Sequence, residues 1–393
     1  MVDSVKQYSV NYVQFVPTFY WVDTGPAKPW PPGFDPSCAN SNLTSYYCYD
    51  RFNATTVEYW CYNRNGNSCP EVSQSDMSKF QNDFTTCLKY AADKGLNLSV
   101  NARVDDGRNL GGWRNTLNFD PTQKYGSYSY EEAILNPIAA SIAAAAKSGS
   151  EVQFTLQGEM GATVFFHPIA WQTVIQRQRS NITQERSSNG RSGPVLVGLG
   201  ANNLKACGCQ YIGIVNAYEY LGNLSANLDT NGMNLPAIKQ TYLDSDFISI
   251  SAYIPVPNPN FQPCELEGLL QRMDTELKLY NISLAELENG GVSFLWGEYG
   301  MGGGASQNGD VPATTAQQAG ETPFFGIGSS YSCSKDPFDM CHPNVPNQVR
   351  EFRRYYYNQT AAYFDKGGCM YHGLEVAYIW GTGSWDVLAI YPG

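Results

Sequence analysis

Short apolar runs alternate with stretches of helical spacing from one end of the chain to the other, and few folds accommodate that alternation. The runs cover residues 12–19, 96–104, 152–156, 195–199, 247–253, 292–296 and 374–380. Each has the length and the β-branched and aromatic content of a strand. Met77, Phe80, Phe84, Leu88 and Ala91 recur at helical intervals up to Gly95. Ser129 and Glu132 form a capping box ahead of an alanine-rich helix, in which Pro137 predicts a kink. Residues 169–178, 266–279 and 349–364 read as further helices, and residues 56–60 as an additional short strand. Strands separated by helices form parallel sheets, because a parallel pair needs a long crossover. Seven or eight such units fit a (β/α)8 TIM barrel, with residues 1–393 as a single domain. A doubly wound sheet fits less well, since no GxGxxG follows the first strand and no GK[ST] phosphate loop occurs.

Composition narrows the partners. The 25 Lys+Arg against 36 Asp+Glu leave a net charge of −11, and no basic patch supplies phosphate contacts, so nucleic acid is not expected. No apolar run approaches the roughly 20 residues that cross a bilayer, so no membrane partner is expected either. The 11 cysteines lie largely in Gly/Pro/Asn/Ser-rich segments, a pattern of disulfide-pinned loops in an oxidising compartment. Bonds are expected among Cys38, Cys48, Cys61 and Cys69 and between Cys333 and Cys341, with at least one thiol left over from the odd count. Zinc is disfavoured by only 3 histidines and the absence of a CxxC pair, and no metal or cofactor is expected. Asn-x-Ser/Thr sequons at Asn42, Asn53, Asn97, Asn181, Asn223, Asn281 and Asn358 fit a secreted, glycosylated, cell-wall-associated monomer, although Asn97 falls inside a strand.

Chemistry in such a barrel sits at the C-terminal ends of the strands. Two of those ends are alike: residues 152–156 run into Gln157-Gly158-Glu159, and residues 292–295 into Trp296-Gly297-Glu298. A glycine there lets a ligand approach the backbone, and strand alternation would place Gln157 beside Glu159 and Trp296 beside Glu298. Two carboxyl groups facing one cleft suit glycosidic bond cleavage, one donating a proton and the other attacking the anomeric carbon. Arg103 ends a strand and reads either as a cation beside Glu298 or as a structural arginine. Tyr253 is placed to hydrogen-bond Glu298 from the neighbouring strand. Asn202 and Asn203 follow a strand and read as sugar-hydroxyl ligands or as a turn. Trp21, Trp113, Trp296, Trp380 and Trp385 offer flat faces to pyranose rings, whereas Trp171, on a helix, reads as core.

With these strand ends the chain resembles the retaining glycoside hydrolases of clan A. In that superfamily the acid/base Glu ends the fourth strand and the nucleophile the seventh, which Glu159 and Glu298 match when residues 374–380 are counted as the eighth. LDSDFISISAYIP at residues 243–255 resembles the sixth-strand segment of endo-β-mannanases and β-galactanases, and AYIWGTGSWDV at residues 377–387 the eighth-strand tryptophan loop. The resemblance implies a secreted retaining endo-β-glycosidase acting on a polysaccharide or its oligosaccharides. β-1,4-Mannan is the first expectation, with galactan, glucan and xylan as alternatives. One departure is Gly158, where most of the clan carries an Asn that binds the sugar 2-hydroxyl. That departure keeps open a catalytically inactive, glycan-binding or cell-wall structural barrel.

Overall fold

A computed structural model describes Val2, Pro323 and residues 10–23, 56–66, 68–108, 113–208, 217–301, 315–321 and 347–379. The strands are β1 (Tyr12–Phe15), β2 (Thr18–Val22), β3 (Tyr59–Cys61), β4 (Asn97–Asn101), β5 (Arg103–Asp106), β6 (Lys124–Tyr125) and β7 (Tyr128–Ser129). They continue as β8 (Val152–Thr155), β9 (Val195–Asn202), β10 (Phe247–Ala252), β11 (Ser293–Tyr299) and β12 (Leu374–Ile379). The helices are α1 (Gln74–Asp93), α2 (Asn136–Ala145), α3 (Gly161–Phe166), α4 (Pro168–Ser188) and α5 (Ala217–Asn227). Then come α6 (Leu235–Leu243), α7 (Gly268–Lys278), α8 (Leu284–Asn289), α9 (Ala316–Glu321) and α10 (Asn347–Asp365).

A seven-stranded parallel sheet runs in the order β1-β4-β8-β9-β10-β11-β12. It is strongly curled. Gln14 Nε2 on β1 donates to the Gly297 carbonyl on β11 at 2.6 Å, whereas in a flat sheet strands five places apart stand about 24 Å from each other. The rings of Tyr12 and Tyr378, on the first and last strands, meet edge to face at 6.4 Å. The Tyr378 hydroxyl then reaches across to Gln153 Oε1 on β8 at 2.6 Å. The strands are therefore the staves of a nearly closed (β/α)8-type barrel with helices between them, as the alternation requires. Both faces of the staves are covered, which explains why β8 and β10 are buried throughout. Phe247, Leu295 and Tyr378 pack with Leu196 and Val376 inside the barrel, while Val100, Phe154, Val197 and Ile250 join the core beneath the helices.

The first two runs each divide. Pro17 has no N–H to give to the ladder, so residues 12–19 become β1 and β2. Residues 96–104 part at Ala102, whose N–H goes to Thr155 while Arg103 N–H goes to Pro17. Beyond these breaks β2 and β5 leave the barrel and pair with each other, and β3 joins antiparallel in a three-stranded side sheet. Residues 56–60 thus supply a strand of the side sheet and no stave, and β1 pairs directly with β4. Counted forward, Glu159 follows the third stave and Glu298 lies in the sixth; the separation of three is kept.

The Ser129–Glu132 capping box is formed reciprocally, at 2.9 and 3.1 Å. It opens a π-turn, Glu131–Leu135, which runs on without a break in helical backbone into α2, and Pro137 falls where the one passes into the other. Cys61–Cys69 pins the end of β3. Cys264–Cys369, 105 residues apart in sequence and not expected from spacing, ties the turn before α7 to the loop before β12. Cys207 is also disulfide-bonded, and Cys87 carries a free, exposed thiol. Cys38, Cys48, Cys333 and Cys341 lie outside the described residues. Among the described residues no helix is long and apolar enough to cross a membrane, and no cluster of His, Cys, Asp and Glu could hold a metal ion.

Candidate active site

The two Gly-Glu strand ends reach the barrel mouth by different backbone devices. After β8, Gln157 turns inward and braces the loop: its Nε2 donates to the Gly200 carbonyl at 2.7 Å and its Oε1 accepts from Met160 N–H at 2.6 Å. Glu159 then adopts φ +58°, the left-handed region that a residue with a Cβ rarely enters. Such conformations cost on the order of 1–3 kcal/mol and concentrate at functional sites. Gln157 and Glu159 therefore do not share a strand face. A Cβ at Gly158 would stand 3.0 Å from Asn101 Oδ1, so the Asn101 carboxamide fills the space beside that glycine.

On β11 the device is a β-bulge. Ile250 pairs with Trp296 and Ser251 with Glu298, leaving Gly297 as the extra residue. A Cβ at Gly297 would collide with Ser249 Oγ, which packs against it. The bulge separates Trp296 from Glu298. Trp296 is fully buried, stacked on Tyr299 at 4.7 Å and on Tyr363 of α10 at 5.6 Å, with Phe364 against its edge. Its faces are taken by protein rings, and none is open to a sugar. Glu298 lies on the cleft side at 7% exposure.

The carboxyl groups are joined by a continuous chain of charges. Arg114 Nη2 lies 2.7 Å from Glu159 Oε2, and its Nη1 lies 2.8 Å from Asp105 Oδ1. The same Asp105 oxygen lies 3.3 Å from Arg103 Nε, and Arg103 Nη1 lies 3.8 Å from Glu298 Oε1. The Tyr253 hydroxyl donates to Glu298 Oε2 at 3.3 Å. Burial pushes the Glu298 carboxyl up to about 7, and the nearby Glu159 charge pushes the same way, while Arg103, Arg114 and the Tyr253 hydrogen bond act against them.

The remaining candidates divide. Asn202 ends β9 opposite Ser251, and its buried Nδ2 has no hydrogen-bond partner among the described residues; Asn203 follows it, half-buried. Trp113 is half-buried beneath the Lys205 ammonium at 5.6 Å. Trp21 is buried at the pairing of β2 with β3, and Trp171 is core, its Nε1 donating to Thr163 at 3.0 Å. Trp380 and Trp385 lie outside the described residues. Sequence reasoning missed Arg114, the bridging place of Asp105, and Lys205. Arg114 opens a short 3-10 turn, Arg114–Thr116, 45 residues before Glu159, and no periodicity links the two.

Parallel staves curl into a (β/α)8-type barrel, with two glutamates three staves apart at their C-terminal ends, and several solved barrels are distantly similar to it. The GH113 β-mannanase AaManA from Alicyclobacillus acidocaldarius, solved in complex with ManMIm, is 15% identical with a TM-score of 0.36, over 84% of this chain and 72% of that one. A GH113 β-1,4-mannanase is 12% identical with a TM-score of 0.36, over 94% and 89%. A structure from a study of two fungal β-1,4-galactanases is 12% identical with a TM-score of 0.35, over 76% and 72%. No protein-family model and no curated protein matches the chain.

Proposed function

We propose that the protein is an extracellular retaining endo-β-glycosidase that works by double displacement. The observation that carries this reading is the chain Glu159–Arg114–Asp105–Arg103–Glu298, which holds two carboxyl groups at one end of one barrel. Glu298, ionised, attacks the anomeric carbon as the glycosidic C–O bond breaks, and Glu159 delivers its proton to the departing oxygen. Glu159 then takes a proton from the water that attacks the glycosyl ester, and Glu298 is released. Tyr253 and Arg103 steady the nucleophile, and Asn202 and Asn203 border the cleft as sugar ligands. The chemistry requires no cofactor. β-1,4-Mannan is the first substrate to test, with β-galactan, β-glucan and xylan beside it. The disulfides support an oxidising compartment.

A glycan-binding barrel without turnover is the second reading. It is favoured by Arg114, whose guanidinium lies 2.7 Å from Glu159 Oε2 and pairs with the ionised form of the group that would have to donate a proton. An aryl β-glycoside separates the two. Glu159→Ala should still form the glycosyl ester, because the leaving group needs little protonation, and azide should restore the second step with a β-glycosyl azide as product. Glu298→Gln should be inactive with or without azide at retained configuration. An α-azide product from the Glu298 variant would come from a single displacement on the face the nucleophile vacates and would keep these roles, whereas a β-azide from it would reverse them; wild-type-like turnover in either variant would remove that residue from the mechanism.

A further inference from the structure

Lys205 stands in the loop after β9 with φ +65°, and that backbone is fixed from several sides. Its N–H and that of Ala206 donate to the buried Glu276 carboxylate at 2.8 and 2.7 Å, while Tyr220 donates to the same group at 2.8 Å. Glu276 thus holds the main chain of the loop, and its oxygens are already engaged. The Asn115 carboxamide ties the loop to the catalytic turn: its Nδ2 donates to the Lys205 carbonyl at 2.7 Å, and its Oδ1 accepts from Gly161 N–H at 2.7 Å, two residues beyond Glu159. Asn115 also directly follows Arg114, the partner of Glu159. Lys205 is therefore anchored at the Glu159 end of the charge chain.

Its ammonium, on a half-buried side chain, lies over the Trp113 ring at 5.6 Å. Among the described residues no carboxylate lies within ion-pair distance of it. Burial pushes the ammonium down to about 8, with Glu276 opposing that shift. A largely desolvated cation with no ion-pair partner among the described residues, held on an aromatic face in the loop that Asn115 ties to the Glu159 turn, gains most from an incoming anion.

We propose that Lys205, on its Trp113 platform, is a specificity residue for a carboxylate-bearing pyranose, a uronic acid, on the leaving-group side of Glu159. This inference rests on the glycosidase reading, in which Glu159 protonates the leaving group. The ammonium pairs with the sugar carboxylate, and Asn115 keeps that pair in register with the turn that carries Glu159.

Calorimetric binding to the Glu298→Gln protein tests it without turnover. The probes are a β-1,4-linked mannuronic acid trisaccharide and neutral mannotriose, each at low and high salt. The acidic probe should bind at least tenfold more tightly at low salt, an advantage that shrinks as salt screens it. Adding Lys205→Gln should abolish the advantage while leaving mannotriose affinity unchanged, which also shows that the site is still folded, and Lys205→Arg should restore most of it. Equal affinity for the two probes, or a preference that survives Lys205→Gln, overturns this assignment and leaves the glycosidase reading standing. Binding of neither probe overturns this assignment and removes β-1,4-mannan as the substrate, leaving the other β-glycans to the glycosidase reading.

Discussion

Arg114 grips Glu159 with one guanidinium nitrogen and Asp105 with the other, at 2.7 and 2.8 Å, so a single arginine links the first carboxyl to the arm that leads to the second. The consequence for Glu298 is measurable. A nucleophile must be ionised, and burial raises this one to about 7 while Arg103 and Arg114 hold it down. In the proposed mechanism kcat/KM should therefore rise with pH through about 7. Arg103→Gln and Arg114→Gln each remove a positive charge and should move that limb to higher pH. A wild-type limb near the ordinary glutamate range, or a shift to lower pH in either variant, would contradict the electrostatics derived from the chain.

The same group sets a stability dependence with a definite sign. A carboxyl whose folded value is raised costs nothing while it is protonated in both states, below the unfolded value near 4.5. Its contribution to stability is lost as pH rises from there through about 7. Glu298→Gln removes the charge and should be more stable than the parent at pH 8, by up to about 3 kcal/mol. The difference should vanish below pH 4.5. Urea unfolding at both pH values measures it, and a less stable Gln variant at pH 8 would show that the charged form is favourably held.

Trp296 separates a packing role from a sugar-binding one. Its stack with Tyr299 and Tyr363 fills the space between β11 and α10. Trp296→Ala should cost about 3–5 kcal/mol, and Trp296→Phe should cost less while leaving KM within twofold. A large rise in KM from Trp296→Phe at unchanged stability would place the ring in the cleft after all.

The barrel was legible because burial on both faces of a stave needs an apolar run, and runs at residues 152–156 and 247–253 are hard to hide. Both glutamates were legible because each ends such a run after a glycine. What was not legible is how the backbone turns there. Strand alternation carries Trp296 and Glu298 to one side, and the bulge at Gly297 sends them to opposite sides. It likewise pairs Gln157 with Glu159, and the left-handed backbone at Glu159 parts them. Side-sheet formation by β2, β3 and β5 depends on long-range pairing that a short run such as residues 56–60 does not encode. Cys264 and Cys369 were missed for the same reason, since local spacing reveals only local bridges. Arg114, at the start of a 3-10 turn, and Lys205, in a loop, come to the candidate site only when the staves bring those segments together.

The bulge itself can be tested through the contact between Gly297 and Ser249. A side chain at Gly297 would collide with Ser249 Oγ, with Ser249 Cβ next at 3.2 Å and the Ser249 carbonyl carbon at 3.6 Å, an ordinary contact. Ser249 Oγ is buried and has no hydrogen-bond partner among the described residues, so removing it sacrifices no bond. Gly297→Ala should therefore displace β11 at the bulge, costing about 1–3 kcal/mol as an overpacked core position. In the proposed enzyme it should also lower kcat/KM, because Glu298 is the next residue. Ser249→Gly alone should cost roughly 1 kcal/mol for a glycine within a strand. The double variant, Gly297→Ala with Ser249→Gly, leaves the new methyl only the backbone carbon to meet and should be more stable than Gly297→Ala alone. Denaturant midpoints of the four proteins give the coupling, expected at 0.5 kcal/mol or more in the favourable direction for a contacting pair. Additive losses would mean that Gly297 does not face Ser249, and that the bulge carries Glu298 into the cleft by some other turn of the backbone.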